Sequence, residues 1–403
     1  MANYEPFVWE STPPEGIPFK QSEEFKKIKF LGNSRHYQTG DTWYPTWASN
    51  DILYSGVTDG VTEGMKTGSG GYTARGTYDE NGELLKKANT GNASLEGDDP
   101  LNLKVTAIGT CDADPYPYGG RYPCGGLVYN GVWYYGTYCL SPFGRTYYGD
   151  FMYNWPFLGP FVGYRTSTDY GKTWTDCPHT PEKPLFGETG MCGYPVKIGA
   201  PHFVDFGKNM EHSPDGKAYL VAQGSDLKFY PPTRFANLSW ITADQVYLYR
   251  VTPSLETMND PSAYEFYAGK DSSGNDIWTT DFKEMQPLLE WQNNMGAVTV
   301  TYNAPLKKYL MCVTDGVNTC TKMNTYILES ESLTGEWKLV TYMKDFGDQA
   351  YFVNIPSKFI SEEGTKMWLC YSGRFAHGWN GAVLEINPPD SWYGLVVQEI
   401  ELL

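Results

Sequence analysis

Positive charge is scarce in this chain. Its 403 residues carry 31 Lys and Arg against 47 Asp and Glu, a formal net charge of −16, and only 19% of residues are charged at all. No cluster of cations is available to neutralise a phosphate backbone, which argues against a nucleic-acid partner. Long apolar runs are missing too, with no stretch of 18 or more, so no membrane span is expected. The opening MANYEPFVWE has neither the basic nor the apolar region of an export signal. So abrupt a start leads us to expect a signal removed ahead of this numbering, and hence a secreted, periplasmic or cell-surface protein. Cysteine is limited to eight residues, without a CxxC pair or a Cys/His group at zinc spacing, so neither a metal site nor a cofactor is expected. Cys111 with Cys124, Cys177 with Cys192 and Cys312 with Cys320 bracket loops, a spacing equally compatible with disulfides and with buried thiols.

What the chain does have is 43 Gly, 27 Pro, 32 Tyr and 13 Trp, the profile of many short strands joined by turns. The strand-like segments recur as five hairpins: TWASNDILYSGVTDG, GGLVYNGVWYYGTYC, GAPHFVDFG with DGKAYLVAQG, MGAVTVTYNAPLKKYLMCVTDG, and YFVNIPSKF with GTKMWLCYSGR. Most are followed by a second strand pair, among them QVYLYRVTPSLETM with SAYEFYAG, NTYILESESLTGEWKLV, and GAVLEINP with YGLVVQEIEL. Four strands per unit, five times over, predict an all-β, five-bladed β-propeller in a single domain, with residues 1–30 as an N-terminal extension packing on it. The first blade has the weakest outer pair and is a candidate for completion by a terminus. STDYGKTW, residues 167–174, resembles the Asp-box of sialidase-type propellers, a structural turn, so Asp169 is read as structural.

In a propeller the innermost strand of each blade starts at one face near the axis and its partner returns there. Residues before the first strand and after the second therefore converge on a funnel. By that rule GDTWYPTWASNDILYSGVTDG places Asp41 and Asp59 in the funnel and Asp51 in the turn at the opposite end. The other blades contribute Asp112 and Arg121 from CDADPYPYGGRYPC, His202 from blade three, Asn294 and Asp315 from blade four, and Asn354 and Arg374 from blade five. Trp43 and Trp47 beside the acids, and Trp155 in an aromatic insertion at residues 147–160, are candidate stacking platforms. Each candidate has a plainer structural reading: Asp59 and Asp315 precede Gly as turn residues do, His202 could be a buried hydrogen-bonded ring, and each Trp could be core. Acids, amides, a His and an Arg around aromatic rings suit an oligo- or polysaccharide, whose hydroxyls need donors and acceptors and whose C–H faces stack on rings. Nothing in the sequence fixes the oligomeric state.

The same opening segment, with NMGAVTVTYNAPLKKYLMCVTDG and LTGEWKLV, resembles a family of bacterial five-bladed propellers that includes endo-D-arabinanases. The resemblance implies a glycoside hydrolase, with arabinofuranose-containing glycans among its substrates and Asp41 and Asp59 as the working carboxylates, Asp59 as nucleophile of a retaining reaction and Asp41 as acid/base. The loop 112–124 and the insert 147–160 depart from the family and bear on sugar specificity. Two other readings remain open: a polysaccharide lyase using His202 as base with Arg374 or Arg121 on a uronate, and a non-catalytic glycan-binding propeller.

Overall fold

The computed structural model describes residues 3–70, 88–115, 118, 120–140, 158–190, 194–229, 240–316, 322–377 and 383–403. Within them five antiparallel sheets follow one another along the chain as the blades of a five-bladed β-propeller. Blade one is Thr46–Trp47, Leu53–Val57, Ala88–Glu96 and Lys104–Ala113. Blade two is Tyr122–Tyr129, Val132–Leu140 and Leu158–Ser167. Blade three runs His202–Phe203, Ala218–Gly224, Ala243–Val251, Glu265–Lys270 and Asp276–Thr279, with Pro287–Met295 also paired to its third strand. Blade four is Val298–Asn303, Lys308–Gly316, Met323–Ser330 and Lys338–Met343.

Blade five differs from expectation. Tyr351–Asn354, Lys366–Ser372 and Val396–Leu402 are completed by Ile28–His36, with Phe7–Val8 on its outer edge. The terminus therefore completes the last blade, not the first, through pairings such as Ile28 opposite Leu402 and His36 opposite Val396. GAVLEINP is no strand over its described residues 383–388, because the place beside Val396–Leu402 is taken by the N-terminal strand. Pairing the two ends of the chain closes the ring and leaves blade five no open edge next to its C-terminal strand. The N-terminal segment expected to end near residue 30 thus runs into the blade, and Gln21 bridges to Leu339 of blade four on the way.

Blade one has its own outer pair after all. Ala88–Glu96 reads ANTGNASLE, too polar to announce a strand, yet almost every residue in it is buried. Its small side chains let neighbours close in: a Cβ on Gly91 would meet Met65 and Thr67, and Tyr135 of blade two donates its hydroxyl proton to Gly91 O at 2.9 Å. The core fills the spaces between blades with rings, such as Trp133 between Tyr54 (5.3 Å) and Trp174 (5.3 Å). That Trp174 belongs to the Asp-box, which is a self-contained turn. Asp169 Oδ1 accepts the N–H groups of Lys172 (3.1 Å) and Thr173 (2.9 Å), and Trp174 Nε1 donates to Gly171 O at 3.0 Å. The Thr173 hydroxyl, donating to Asp169 Oδ2 at 2.6 Å, together with the Thr173 and Lys172 N–H groups, stabilises the ionised carboxylate and holds Asp169 at a pKa of about 2, as a structural anion would be. The six described cysteines, Cys111, Cys124, Cys139, Cys177, Cys312 and Cys370, are free thiols.

Candidate active site

Two glycines create the closest approach in the funnel. Gly40 and Gly60 lie back to back, so a Cβ on Gly60 would overlap the Cα of Gly40, and one on Gly40 would sit 2.7 Å from Thr58 O. Gly40 also holds φ at +111°, where a side chain is strained. This contact lets the segment before the first strand pair with the end of the second. Asp41 N–H donates to Thr58 O at 2.8 Å, and Thr58 N–H returns to Asp41 O at 3.0 Å. Asp59, next to Thr58, therefore lies beside Asp41, as the hairpin rule predicts. Asp59 holds φ at +53°, an uncommon conformation for a residue with a Cβ.

Each carboxyl is held by a different set of donors. Asp59 Oδ1 accepts Ser69 N–H at 2.8 Å. Asp41 Oδ2 accepts the hydroxyl proton of Tyr351 at 2.9 Å and lies 3.4 Å from the Tyr393 oxygen, while Asp41 Oδ1 meets no hydrogen-bond donor among the described residues. Tyr393 bonds more closely to the carbonyl of Asp59, at 2.6 Å. Burial raises the pKa of both acids. Asp59 is pushed up to about 6, with the Ser69 donors opposing the rise. Asp41 is held well above the usual carboxylate range by burial and by the charge of Asp59, against which the Tyr351 hydrogen bond works and the more distant Tyr393 works only weakly. The two carboxyls titrate as a coupled pair in which ionisation of one opposes ionisation of the other.

Aromatic rings surround the pair. Trp240 packs 5.1 Å from Tyr351 and 5.7 Å from Phe375, and Tyr122 and Tyr138 of blade two stand 5.7 Å apart facing both acids. Below them the axis is lined by all five blades, with Tyr44, Gly125, His202, Thr299 and Asn354 among the lining residues.

The remaining candidates lie elsewhere or face other ways. Trp43 is fully buried core, its Nε1 donating to Gly40 O at 3.1 Å, so it supports the acids from behind and offers no platform. Trp47 sits at the opposite end of the hairpin, where its Nε1 donates to Asp51 Oδ1 at 2.9 Å; six residues of chain carry it away from Asp41. Asn354 lies three residues into its strand and donates to Trp43 O (3.0 Å) and Phe352 O (2.9 Å), tying blade five to blade one. His202 is buried against Tyr44 at 3.8 Å within the axis, not at the mouth, and burial pushes its pKa down to about 3. Arg374 is half-buried, with Nη2 donating to Leu384 O at 3.0 Å and its guanidinium 5.7 Å from the Trp392 ring. Arg121 is buried, with Nε donating to Thr137 Oγ1 at 2.7 Å. Asp112 stands on the outermost strand of blade one and accepts from Asn89 Nδ2 at 2.9 Å. Asn294 lies on Pro287–Met295 and bonds Gln292 O at 2.7 Å. Asp315 is buried on the second strand of blade four. Trp155 lies outside the described residues.

Tyr351, Tyr393 and Trp240 were not among the sequence candidates. The hairpin rule points at Tyr351, the first residue of its strand, but a preference for amide and charged side chains selects Asn354 instead. Tyr393 precedes an outer strand, where the rule does not look.

No family model and no curated protein matches the chain. Solved structures similar in shape include the GH43_1 enzyme from Xanthomonas citri complexed with xylose (12% identity, 92% of this chain and 89% of that chain, TM-score 0.46). Another is the catalytic domain of the GH62 α-L-arabinofuranosidase from Coprinopsis cinerea (10%, 90% and 91%, TM-score 0.43). A third is the α-L-arabinanase of Penicillium chrysogenum complexed with arabinobiose (10%, 92% and 100%, TM-score 0.38).

Proposed function

We propose that the protein is a glycoside hydrolase acting on an oligo- or polysaccharide, with arabinofuranose-containing glycans the first class to try. The observation that carries this is the Asp41/Asp59 pair: two adjacent carboxyls in a ring-lined funnel, each held by a different set of donors, whose mutual repulsion favours a state with one proton between them. Glycosidic cleavage needs that division, an acid to protonate the leaving oxygen and a carboxylate to attack the anomeric carbon or activate water. Asp41, which the charge of Asp59 pushes further up, takes the acid role, and Asp59, whose ionised form the Ser69 hydrogen bonds favour, the carboxylate role. Following the resemblance drawn from the sequence, we take Asp59 to attack directly with retention of the anomeric configuration, which requires a carboxyl separation of about 5–5.5 Å; about 6.5–9.5 Å would admit a water and invert it. Export to an extracellular or periplasmic glycan is part of the same reading.

The lyase reading has less support. His202, with a pKa of about 3, is a poor proton acceptor, and among the described residues Arg374 Nη2 donates to the Leu384 carbonyl, with no bond to either acid. Incubating the protein with arabinans, gums and uronate polymers separates the readings. New reducing ends without ultraviolet-absorbing products support hydrolysis, unsaturated uronates mean a lyase, and binding without either means a lectin-like propeller. Proton NMR of the first-formed anomer then tests retention.

A further inference from the structure

We propose that Tyr351 is a positioning residue that commits the proton of Asp41 to Oδ1, while Tyr393 holds Asp59 in place through its backbone. The proposal rests on the hydrolase reading above. A phenol has one proton to give. Tyr393 stands 2.6 Å from the carbonyl of Asp59 and 3.4 Å from Asp41 Oδ2, so its proton goes to the carbonyl, fixing a residue whose backbone lies at φ +53°. Tyr351 has Asp41 Oδ2 as its acceptor at 2.9 Å. An oxygen receiving that bond cannot also carry the acid proton along the same line, so the proton resides on Oδ1, the oxygen without a donor among the described residues.

The consequence for catalysis is directional. As the Oδ1–H bond breaks and the proton passes to the glycosidic oxygen, the bonding pair stays on Asp41 as carboxylate charge, and the C–O bond of the sugar breaks towards the protonated leaving group. The charge appearing on Oδ2 strengthens the Tyr351 bond, which is therefore tighter in the transition state than in the resting acid. The titratable groups facing Asp41 are Asp59, Tyr44, Tyr122, Tyr138, Tyr351 and Tyr393. The ring of Tyr351 is pinned by Trp240 (5.1 Å), Phe352 (4.8 Å) and Phe375 (5.3 Å), so Phe at this position keeps the packing and loses only the hydroxyl.

The test compares Tyr351→Phe and Tyr393→Phe with the parent protein by carbon-13 titration of the aspartate carboxyls without substrate, using Asp41→Asn to assign the resonance, and by pH-rate profiles. Tyr351→Phe should raise the Asp41 midpoint by about one pH unit and lower kcat about 10- to 100-fold with KM little changed. Tyr393→Phe should lower kcat while leaving that midpoint within a few tenths of a unit. An unmoved midpoint in Tyr351→Phe, or an equal shift in both variants, overturns the proposal. Should the parent cleave no glycoside, the hydrolase reading fails, and the substrate-free titration still decides whether Tyr351, and not Tyr393, is the donor that holds Asp41 Oδ2.

Discussion

At one end of the first hairpin of blade one, Asp41 and Asp59 are enclosed by phenols and rings; at the other, Asp51 stands in solvent beside Lys208 (3.0 Å) with Trp47 donating to it. Both ends join aspartate to tryptophan within a few residues, and their chemistry is opposite. Burial raises both funnel acids, and the charge of Asp59 raises Asp41 further, whereas Lys208 and the Trp47 hydrogen bond lower the pKa of Asp51. Residue type therefore says little about role here. What separates the two ends is whether the partner groups favour the charged or the neutral form, and in a propeller that follows from which end of the strand faces the axis.

The largest test of the contrast removes a funnel charge. Asp59→Asn and Asp41→Asn should each lower kcat about 10³-fold or more while sugar binding survives. Stability should move the other way. A carboxyl whose folded pKa lies above its unfolded value stabilises the fold below the unfolded pKa, and that contribution is lost as pH rises through the folded pKa. At neutral pH ionised Asp59 is thus a burden, and Asp59→Asn should stabilise the fold by about 1–2 kcal/mol. The gain should shrink towards pH 4, as thermal unfolding across pH would show. Equal loss of stability and activity would mean that Asp59 is a structural turn residue.

A smaller effect comes from the glycines that press the acids together. Gly60→Ala forces a methyl group against Gly40 and should cost about 1–3 kcal/mol, with kcat falling about 10²-fold through displacement of the pair. Full activity in this variant would break the link between the close backbone approach and the site. Smaller again is the pH profile of the parent. With Asp59 titrating at about 6, kcat/KM should fall below that pH by about tenfold per unit, and fall at high pH as Asp41 loses its proton. An acid limb near pH 4 would mean that Asp59 is not the group that must be ionised.

The contrast was partly legible in the sequence. Turn spacing and the alternation of hairpins give the blade count, and the direction of the first hairpin separates Asp41 and Asp59 from Asp51, because those signals are local. Ring closure was not legible: whether Ile28–His36 or GAVLEINP lies beside Val396–Leu402 depends on pairing across the whole chain, and no short-range pattern encodes it. The partners of the acids were hidden for the same reason, since Tyr351 and Tyr393 lie more than 300 residues from Asp41. Trp43 and Trp47 misled in a different way. Adjacency in sequence suggested a shared site, but one packs behind the acids and the other sits at the far end of a strand pair.

The smallest expected effect is the control that fixes the register. Asp51 accepts from Lys208 Nζ at 3.0 Å and Trp47 Nε1 at 2.9 Å, but it is largely exposed and Lys208 is itself part-exposed, so water screens the ion pair. Asp51→Asn keeps the shape, and the amide oxygen still accepts from Trp47. Stability should change by less than about 0.5 kcal/mol, and what is lost should appear above the unfolded pKa of an aspartate and vanish as pH falls, the reverse of the sign at Asp59. Turnover should be unchanged, because the strand carries Asp51 away from Asp41 to the opposite face. Loss of turnover in Asp51→Asn, with Asp59→Asn still active, would move the working end of the hairpin to the other face of the propeller.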